Sequence, residues 1–431
     1  MTRPGLSQMG ALAASSLMVL GLMGCLQSTL SARAARTQPD PMPVSSSTHL
    51  VAKSSPMVNS QLVTANTRFG FNLFHQLLKQ QPGQNVFISP SSVAIALAMT
   101  YNGASGETQQ AMRQTLELQG LSLAALNQAH ANLRASLENP DPQVKLAIAN
   151  SLWANQKIPL KPEFLQRNQE FYGAKVTNLN FADPKAPSVI NQWVEKNTNG
   201  KIPQIVDSVR PDDLLYLINA IYFKGDWTVA FDRRLTANKP FYLASGKQKL
   251  HPLMSQTGDY RYLETDQFQA VSLPYGKQRR MSLYVFLPKE SSNLSSFLTS
   301  LTEENWQSWM KQFQTRSGSV QMPRFKLEYN AQLKPALTAL GMGVAFNPAK
   351  ADFAGISAAP ARIDEVKHKT FVEVNEEGTE AAAVTSVGIR MTSAPIEGPF
   401  TLKVDRPFFT AIRDNQTGEI LFMGTIVDPK I

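Results

Sequence analysis

The sequence has a single cysteine and no motif of a familiar enzyme class. Cys25 stands alone among 431 residues, so a disulfide within the chain is excluded. The HExxH, CxxC and phosphate-loop patterns are missing. The segment GASG at 103–106 lacks the second glycine of a nucleophile elbow. None of the five histidines has the sequence spacing of a metal ligand or of a catalytic base. We therefore expect no catalytic residues, no metal and no cofactor.

The sequence is also poor in charge. Charged residues make up 17% of the chain and hydrophobic residues 43%, which excludes a disordered or coiled-coil composition. The net charge is +9, but the basic residues are scattered rather than clustered. This pattern favours a solvated basic surface over a nucleic-acid site.

Long hydrophobic runs are missing as well. The longest N-terminal run, from about Met9 to Met23, is shorter than the roughly 18 residues that a membrane span needs. With Arg3 before it and LMGC at 22–25, it resembles a bacterial lipoprotein signal that is cleaved before Cys25, which then takes lipid. An ordinary secretory signal is the alternative. Both predict export to the cell envelope, periplasm or medium, with a membrane anchor only through Cys25.

Composition divides the chain into three parts. Residues 1–24 are the predicted signal peptide, and residues 25–61, rich in Ser, Pro and Ala, are predicted to be a flexible tether. Residues 62–431 contain no internal repeat and no second linker of this kind, so they are predicted to form one domain.

Within this domain, helical patterns come first and strand patterns follow. Apolar residues recur at helical spacing over residues 69–80. Ser89 and Pro90 are expected to open a second helix that ends at Asn102, and Ser105 is the expected N-cap of a third. The strand-like segments are 144–155, 213–227, 281–288, 320–329, 370–377, 399–414 and 419–429. An α+β domain with large, mostly antiparallel sheets is predicted.

The segment NEEGTEAAAVTSVGIRMTSAP at 375–395 has the pattern of a strand but the small residues of a loop. Every second residue from Thr379 onward is uncharged and small to medium, while the face that begins at Glu380 holds the charges. Gly378 supplies a flexible pivot, and no proline interrupts the strand pattern. From these residues alone, an ordinary edge strand is an equal alternative.

Four segments resemble signatures of the serpins, the serine-protease-inhibitor family. They are EEGTEAAAV at 376–384, NVFISPSSVAIALAMTYNGASGETQQAM at 85–112, NAIYFKGDW at 219–227 and VDRPFFTAIRD at 404–414. Their order and spacing match the family from about residue 62 to the end. The sequence is therefore identified as a member of the serpin family.

The resemblance implies a fold and a mechanism. The fold has helices packed on three mostly antiparallel sheets, with an exposed reactive-centre loop near the C-terminus. The implied function is not enzymatic: the protein is a suicide-type inhibitor of serine proteases, with cysteine proteases as a further class. The protease cleaves the loop and forms an acyl-enzyme, which is trapped when the loop inserts as a central strand of the main sheet. Serpin loop insertion is itself a known example of strand addition.

The resemblance also assigns residues. The loop hinge is Glu376, Glu377, Gly378, Thr379, Glu380, Ala381, Ala382, Ala383 and Val384. The polar residues expected beneath the strands that must part are Ser89, Ser92, Asn219 and His368, and Trp227 is expected at the top of the sheet. From the residues alone, without the resemblance, His368 would be interpreted as a histidine on a surface strand and Trp227 as an aromatic residue of the core.

Counting from Gly378 places the reactive bond between Thr392 and Ser393, which suits elastase-like or subtilisin-like proteases. Met391, for chymotrypsin-like or elastase-like enzymes, and Arg390, for trypsin-like enzymes, are the alternatives. The expected partner of a monomeric protein is thus a serine protease. No heparin site is expected, because residues 121–139 contain only Arg134 as a basic residue besides histidine.

Two other function classes are compatible with the sequence. One is a non-inhibitory serpin that is cleaved as a substrate or acts as a chaperone-like binding module. The other is a structural lipoprotein of the envelope. Neither explains why the hinge keeps small residues and excludes proline.

Overall fold

A computed structural model describes residues 57–138, 140–379 and 398–431. Cys25, the predicted signal peptide and the loop from Glu380 to residue 397 lie outside the described residues. The helices are α1 (Ser60–Gln80), α2 (Pro90–Tyr101), α3 (Gly106–Thr115), α4 (Leu123–Leu137), α5 (Pro162–Tyr172), α6 (Ala186–Asn197), α7 (Leu294–Thr299), α8 (Glu303–Gln312) and α9 (Lys334–Ala339). None of these described helices is both long and apolar enough to cross a bilayer.

The strands follow the same chain order. They are β1 (Val86–Ile88), β2 (Val144–Asn155), β3 (Lys175–Leu179), β4 (Leu215–Asp226), β5 (Ala237–Tyr242), β6 (Gln248–Glu264), β7 (Phe268–Tyr275), β8 (Met281–Pro288), β9 (Gln314–Pro323), β10 (Phe325–Gln332), β11 (Ile363–Val374), β12 (Gly378–Thr379), β13 (Phe400–Lys403), β14 (Phe408–Asp414) and β15 (Ile420–Ile426). Short 3₁₀ turns lie at Arg233–Leu235 and Met342–Phe346.

The predicted helix starts are close to the observed ones. Helix α1 begins at Ser60, two residues before the predicted domain start. Ser89 caps α2 by accepting a hydrogen bond from the backbone N–H of Ser92, with Pro90 in the first turn. Ser105 occupies the N-cap position of α3, but its side chain makes no capping hydrogen bond.

The main sheet has the strand order β10-β11-β12-β4-β2-β3. Strands β11 and β4 are long and parallel, and the two-residue strand β12 separates them at one end. All residues of α2 are buried, and this helix packs on one face of the sheet. Helix α6 covers the opposite face, where Ile190 and Val194 meet Ile218 of β4 in a second core. The main sheet is therefore covered on both faces.

The remaining described strands form a second network, in the order β1-β15-β14-β8-β7-β6-β9-β13, with β5 paired to β6. The long strand β6 pairs with β5 at its start and with β7 at its end. It thereby joins two of the three expected sheets into one hydrogen-bonded network. The predicted fold is confirmed, and the predominance of antiparallel pairs holds, with parallel pairing at β11–β4, β2–β3 and β13–β9.

Candidate functional site

The start of the hinge already lies inside the main sheet. Thr379 of β12 pairs with Val374 of β11 on one side and with Gly225 of β4 on the other. Beyond this point β11 and β4 pair directly in parallel. The first hinge residues thus occupy the position of a central strand. Beyond them, β11 and β4 are hydrogen-bonded directly to each other.

A tight turn leads from β11 into β12. Asn375 Oδ1 accepts hydrogen bonds from the backbone N–H groups of Glu377 (3.0 Å) and Gly378 (3.2 Å). The Asn375 N–H donates to the Gly378 carbonyl at 2.9 Å. Gly378 has a φ of +154°, and a Cβ at this position would collide with the Gly225 carbonyl oxygen. Glycine is therefore required for β12 to enter the sheet here.

Trp227, at the end of β4, holds this turn. Its indole N–H donates to the Asn375 carbonyl at 2.8 Å, and its backbone N–H donates to the Glu377 carbonyl at 2.8 Å. The ring stacks on Tyr275 with centroids 4.4 Å apart, and the Tyr275 hydroxyl lies 2.7 Å from Thr379 Oγ1. Trp227 is thus both a buried core aromatic and a direct contact of the hinge.

Two hinge carboxylates anchor the same turn. Thr236 Oγ1 donates to Glu376 Oε1 at 2.7 Å, and Arg324 Nε lies 3.5 Å from Glu376 Oε2. Glu377 forms an ion pair with Arg233. The two arginines are partly exposed, so each ion pair is worth little alone. Glu376 is 3% exposed, however, and leaving its carboxylate without these partners would be costly.

The predicted polar residues meet beneath the middle of the main sheet. His368 of β11 lies directly opposite Asn219 of β4, and His368 Nδ1 is 2.5 Å from Asn219 Oδ1. Asn219 Nδ2 donates to Ser92 Oγ of α2. The backbone N–H of Ser89 donates to His368 Nε2 at 3.1 Å. This cluster therefore ties α2 to both β11 and β4.

The hydrogen bonds determine the form of His368. Since Nε2 accepts from the Ser89 N–H, Nδ1 must carry the proton that is donated to Asn219. Burial lowers the pKa of His368 to about 3, so the neutral ring is stable at physiological pH. His368 is not a surface-strand histidine, which was the alternative reading.

One further residue belongs to this cluster and another lies two positions from His368 in β11; both were missed in the sequence. Asn150 of β2 accepts a hydrogen bond from Asn219 Nδ2 at 2.5 Å. Thr370 Oγ1 donates to the Phe87 carbonyl at 2.7 Å. Asn150 lies next to Ser151 in this strand, and neither residue indicates from the sequence which distant partner Asn150 contacts.

Several predicted residues are outside the part of the chain that the structure describes. They are the second half of the hinge, Glu380, Ala381, Ala382, Ala383 and Val384, and the reactive-bond candidates Arg390, Met391, Thr392 and Ser393. Their roles stay predictions.

Comparison with protein families agrees with this site. The model described as Serpin (serine protease inhibitor) matches residues 64–429. The chain belongs to the serpin family. Leukocyte elastase inhibitor of Homo sapiens is 37% identical to this serpin over 382 residues, which is 86% of this chain and 100% of that inhibitor. A serpin-like protein of Thermococcus kodakarensis is 36% identical over 376 residues, 86% of each chain.

Solved serpin structures have the same fold. Native tengpin, a thermophilic serpin, superposes with a TM-score of 0.80 at 32% identity, covering 87% of this chain and 96% of tengpin. Human thyroxine-binding globulin with its ligand has a TM-score of 0.79 at 26% identity, covering 86% of this chain and 99% of the globulin. The proteins similar to this serpin thus include an elastase inhibitor and a thyroxine-binding globulin.

Proposed function

We propose that this serpin is a suicide inhibitor of serine proteases. The observation that carries the proposal is the position of Gly378 and Thr379 between β11 and β4. Because the hinge already pairs with both strands, the loop can extend an existing strand into the sheet and does not have to start a new one. Each further residue would add hydrogen bonds to two neighbouring strands.

Cleavage of the reactive loop frees its N-terminal half to extend β12 into the main sheet. The protease's serine attacks the reactive bond, the C-terminal half of the loop leaves, and the N-terminal half stays esterified to the enzyme. Insertion of Thr379 to Thr392 would carry the enzyme about 45 Å, at roughly 3.3 Å per residue. Displacement on this scale distorts the oxyanion hole and stops deacylation. The uncleaved form is then a kinetically trapped state.

The side chains of the hinge fit this route. Thr379 is fully buried at the entrance, with its hydroxyl on Tyr275, whose ring stacks on Trp227. The next inward-facing positions of the strand pattern, Ala381 and Ala383, are small. Small uncharged side chains pass between two strands without burying an unpaired charge or forcing the core apart.

A non-inhibitory function is the second candidate. The observation that favours it is the resemblance to thyroxine-binding globulin, a serpin-fold protein seen with a bound hormone. Such a protein, or a chaperone-like module, would be cleaved in its loop as a substrate without trapping the protease.

Incubation of the full chain with elastase, subtilisin, chymotrypsin and trypsin distinguishes the two functions. We expect a complex that survives denaturing gels with elastase or subtilisin, and release of a peptide that begins at Ser393. A peptide beginning at Thr392 or Met391 would instead identify Met391 or Arg390 as the residue before the bond. Cleavage by each enzyme with full residual activity and no stable complex would contradict inhibition of these protease classes.

We further propose that the protein is exported as a lipoprotein with lipid on Cys25 and acts as a monomer. Radiolabelled palmitate fed to bacteria that express the full chain should enter the wild-type protein and not Cys25→Ser. Processing before another residue, without label, would indicate an ordinary secretory signal. Retention of residues 1–24 together with a cytoplasmic location would contradict export.

We propose no heparin activation for this serpin. Arg134 is the sole arginine or lysine of helix α4, and its Nη1 is paired with Glu138 Oε1 at 2.7 Å. The related protease nexin-1 has been crystallised with heparin, at a TM-score of 0.77 and 29% identity. Helix α4 of this serpin offers no cluster of positive charge.

A further inference from the structure

A cavity of about 270 Å³ lies between β2 and the helices α2, α4 and α5, away from the hinge. Leu146, Ile148 and Asn150 of β2 line it, because alternate residues of a strand share one face. Ile95 of α2 and Leu137 of α4 complete its apolar wall. At about 30 Å³ per water, the cavity has the volume of roughly nine waters, so a ligand of similar atom count would fill it.

The apolar wall is incompletely covered by the protein. Leu146 and Ile148 belong to an inner strand of the main sheet, yet both side chains are only half-buried. Apolar surface that faces a water-accessible cavity is less favourable than apolar surface covered by another apolar group. An aliphatic ligand would recover that free energy.

The inner end of the cavity has a spare hydrogen-bond donor. Asn150 is 6% exposed, and its one side-chain hydrogen bond within the described residues is accepted by Oδ1 from Asn219. The Asn150 Nδ2 group has no acceptor there. A ligand oxygen in the cavity can accept a hydrogen bond from this group.

The mouth of the cavity has a cation. The Arg134 guanidinium lies over Gly173, where a Cβ would come within 3.4 Å of Nη1. Glu138 binds only Nη1, and Nε is buried without a hydrogen-bond partner among the described residues. The Nη2 group makes no hydrogen bond among the described residues, so a ligand carboxylate can bind the guanidinium there, beside the Glu138 carboxylate that also lines the cavity.

We propose that this cavity binds a small aliphatic carboxylate of about eight carbons that carries a second hydrogen-bond acceptor at its far end. The carboxylate binds Arg134, the chain covers Leu146 and Ile148, and the far oxygen accepts from Asn150. This site does not depend on protease inhibition. One such ligand would cover the two half-buried side chains and make a polar contact at each end of the cavity.

Calorimetric titration of the full chain with 8-hydroxyoctanoate tests the site. We expect one molecule to bind, and octanoate and 1,8-octanediol to bind about tenfold more weakly, since each lacks one polar contact. Arg134→Gln should weaken 8-hydroxyoctanoate about tenfold and leave 1,8-octanediol unchanged. The charge-matched control Arg234→Gln, in another exposed ion pair, should change neither affinity.

A second set of experiments tests whether the ligand binds in this cavity. Ile148→Phe, which fills the cavity, should abolish binding. If this variant does not fold, NOEs between the ligand methylenes and the methyl groups of Ile95 and Ile148 in the wild-type protein take its place. The site is refuted by an absence of binding, by unchanged binding in folded Ile148→Phe, or by an absence of these NOEs. Equal affinity for 1,8-octanediol and 8-hydroxyoctanoate would refute the assignment of a carboxylate.

Discussion

Replacing Thr379 by arginine is expected to convert this serpin from an inhibitor into a substrate. Thr379 is fully buried between β11 and β4, with its hydroxyl on Tyr275. An arginine here would have to enter the sheet as an unpaired charge, at a cost of several kcal/mol. Since each 1.4 kcal/mol changes a rate about tenfold, insertion should slow by on the order of a hundredfold or more. Deacylation would then precede trapping.

The measurement is the ratio of stable complex to cleaved protein with a protease that the wild type inhibits. Thr379→Arg should give cleaved protein almost exclusively, at an unchanged rate of loop cleavage. Thr379→Ser is the matched control, because it keeps the hydroxyl and should inhibit like the wild type. A wild-type ratio in Thr379→Arg would refute insertion through this position.

A second large effect is expected from Glu419, which is fully buried between α1, α2 and β15. Asn66 Nδ2 donates to Glu419 Oε1 at 2.9 Å. Oε2 and the nearby Ser91 Oγ are both buried without a hydrogen bond of good geometry among the described residues. Burial raises the pKa of this carboxyl to about 8, with a smaller opposing effect of Ser91 and Asn66.

The sign of the pH dependence follows from this shift. The carboxyl of an unfolded chain has a pKa near 4.3. Between about pH 4.3 and 8 the unfolded chain releases this proton while the folded protein retains it, so the free energy of unfolding falls as the pH rises. The contribution of Glu419 is thus complete below this window and lost above it.

Glu419→Gln is therefore expected to stabilise the protein at alkaline pH. Glutamine keeps the acceptor for Asn66 and carries no charge. The gain should be on the order of 5 kcal/mol at pH 8.5 and small at pH 4.5, since one pKa unit corresponds to about 1.4 kcal/mol. Urea unfolding at the two pH values measures it, with the exposed Glu290→Gln as the charge-matched control. Equal effects at both pH values would contradict the assignment.

Local signals explain which parts of the fold were predictable from the sequence. Ser89 and Pro90 predicted the start of α2, because capping and proline geometry act within one turn. The apolar runs predicted β2 and β4 because both faces of the main sheet are covered. The family motifs, rather than any pattern of periodicity, predicted that Asn219 and His368 would meet.

The features that were missed depend on distant partners. Asn150 bonds to a residue 69 positions later, and nothing near it in the sequence marks that contact. Tyr275 reaches Thr379 from a separate strand, 104 positions away. The junction of two sheets through β6 depends on where each half of one strand finds its neighbours. Such pairings are set by the tertiary fold and not by propensity.

Insertion of the cleaved loop between β11 and β4 is the central claim, and the stability of the cleaved protein tests it most directly. The full chain is cut once in the reactive loop by a protease that it does not trap, and the cut and intact forms are compared by thermal unfolding and by amide hydrogen exchange. Insertion predicts a higher unfolding temperature for the cut form and new protection from Glu380 to Val384. An unchanged or lower unfolding temperature, with these amides still exchanging freely, would contradict it.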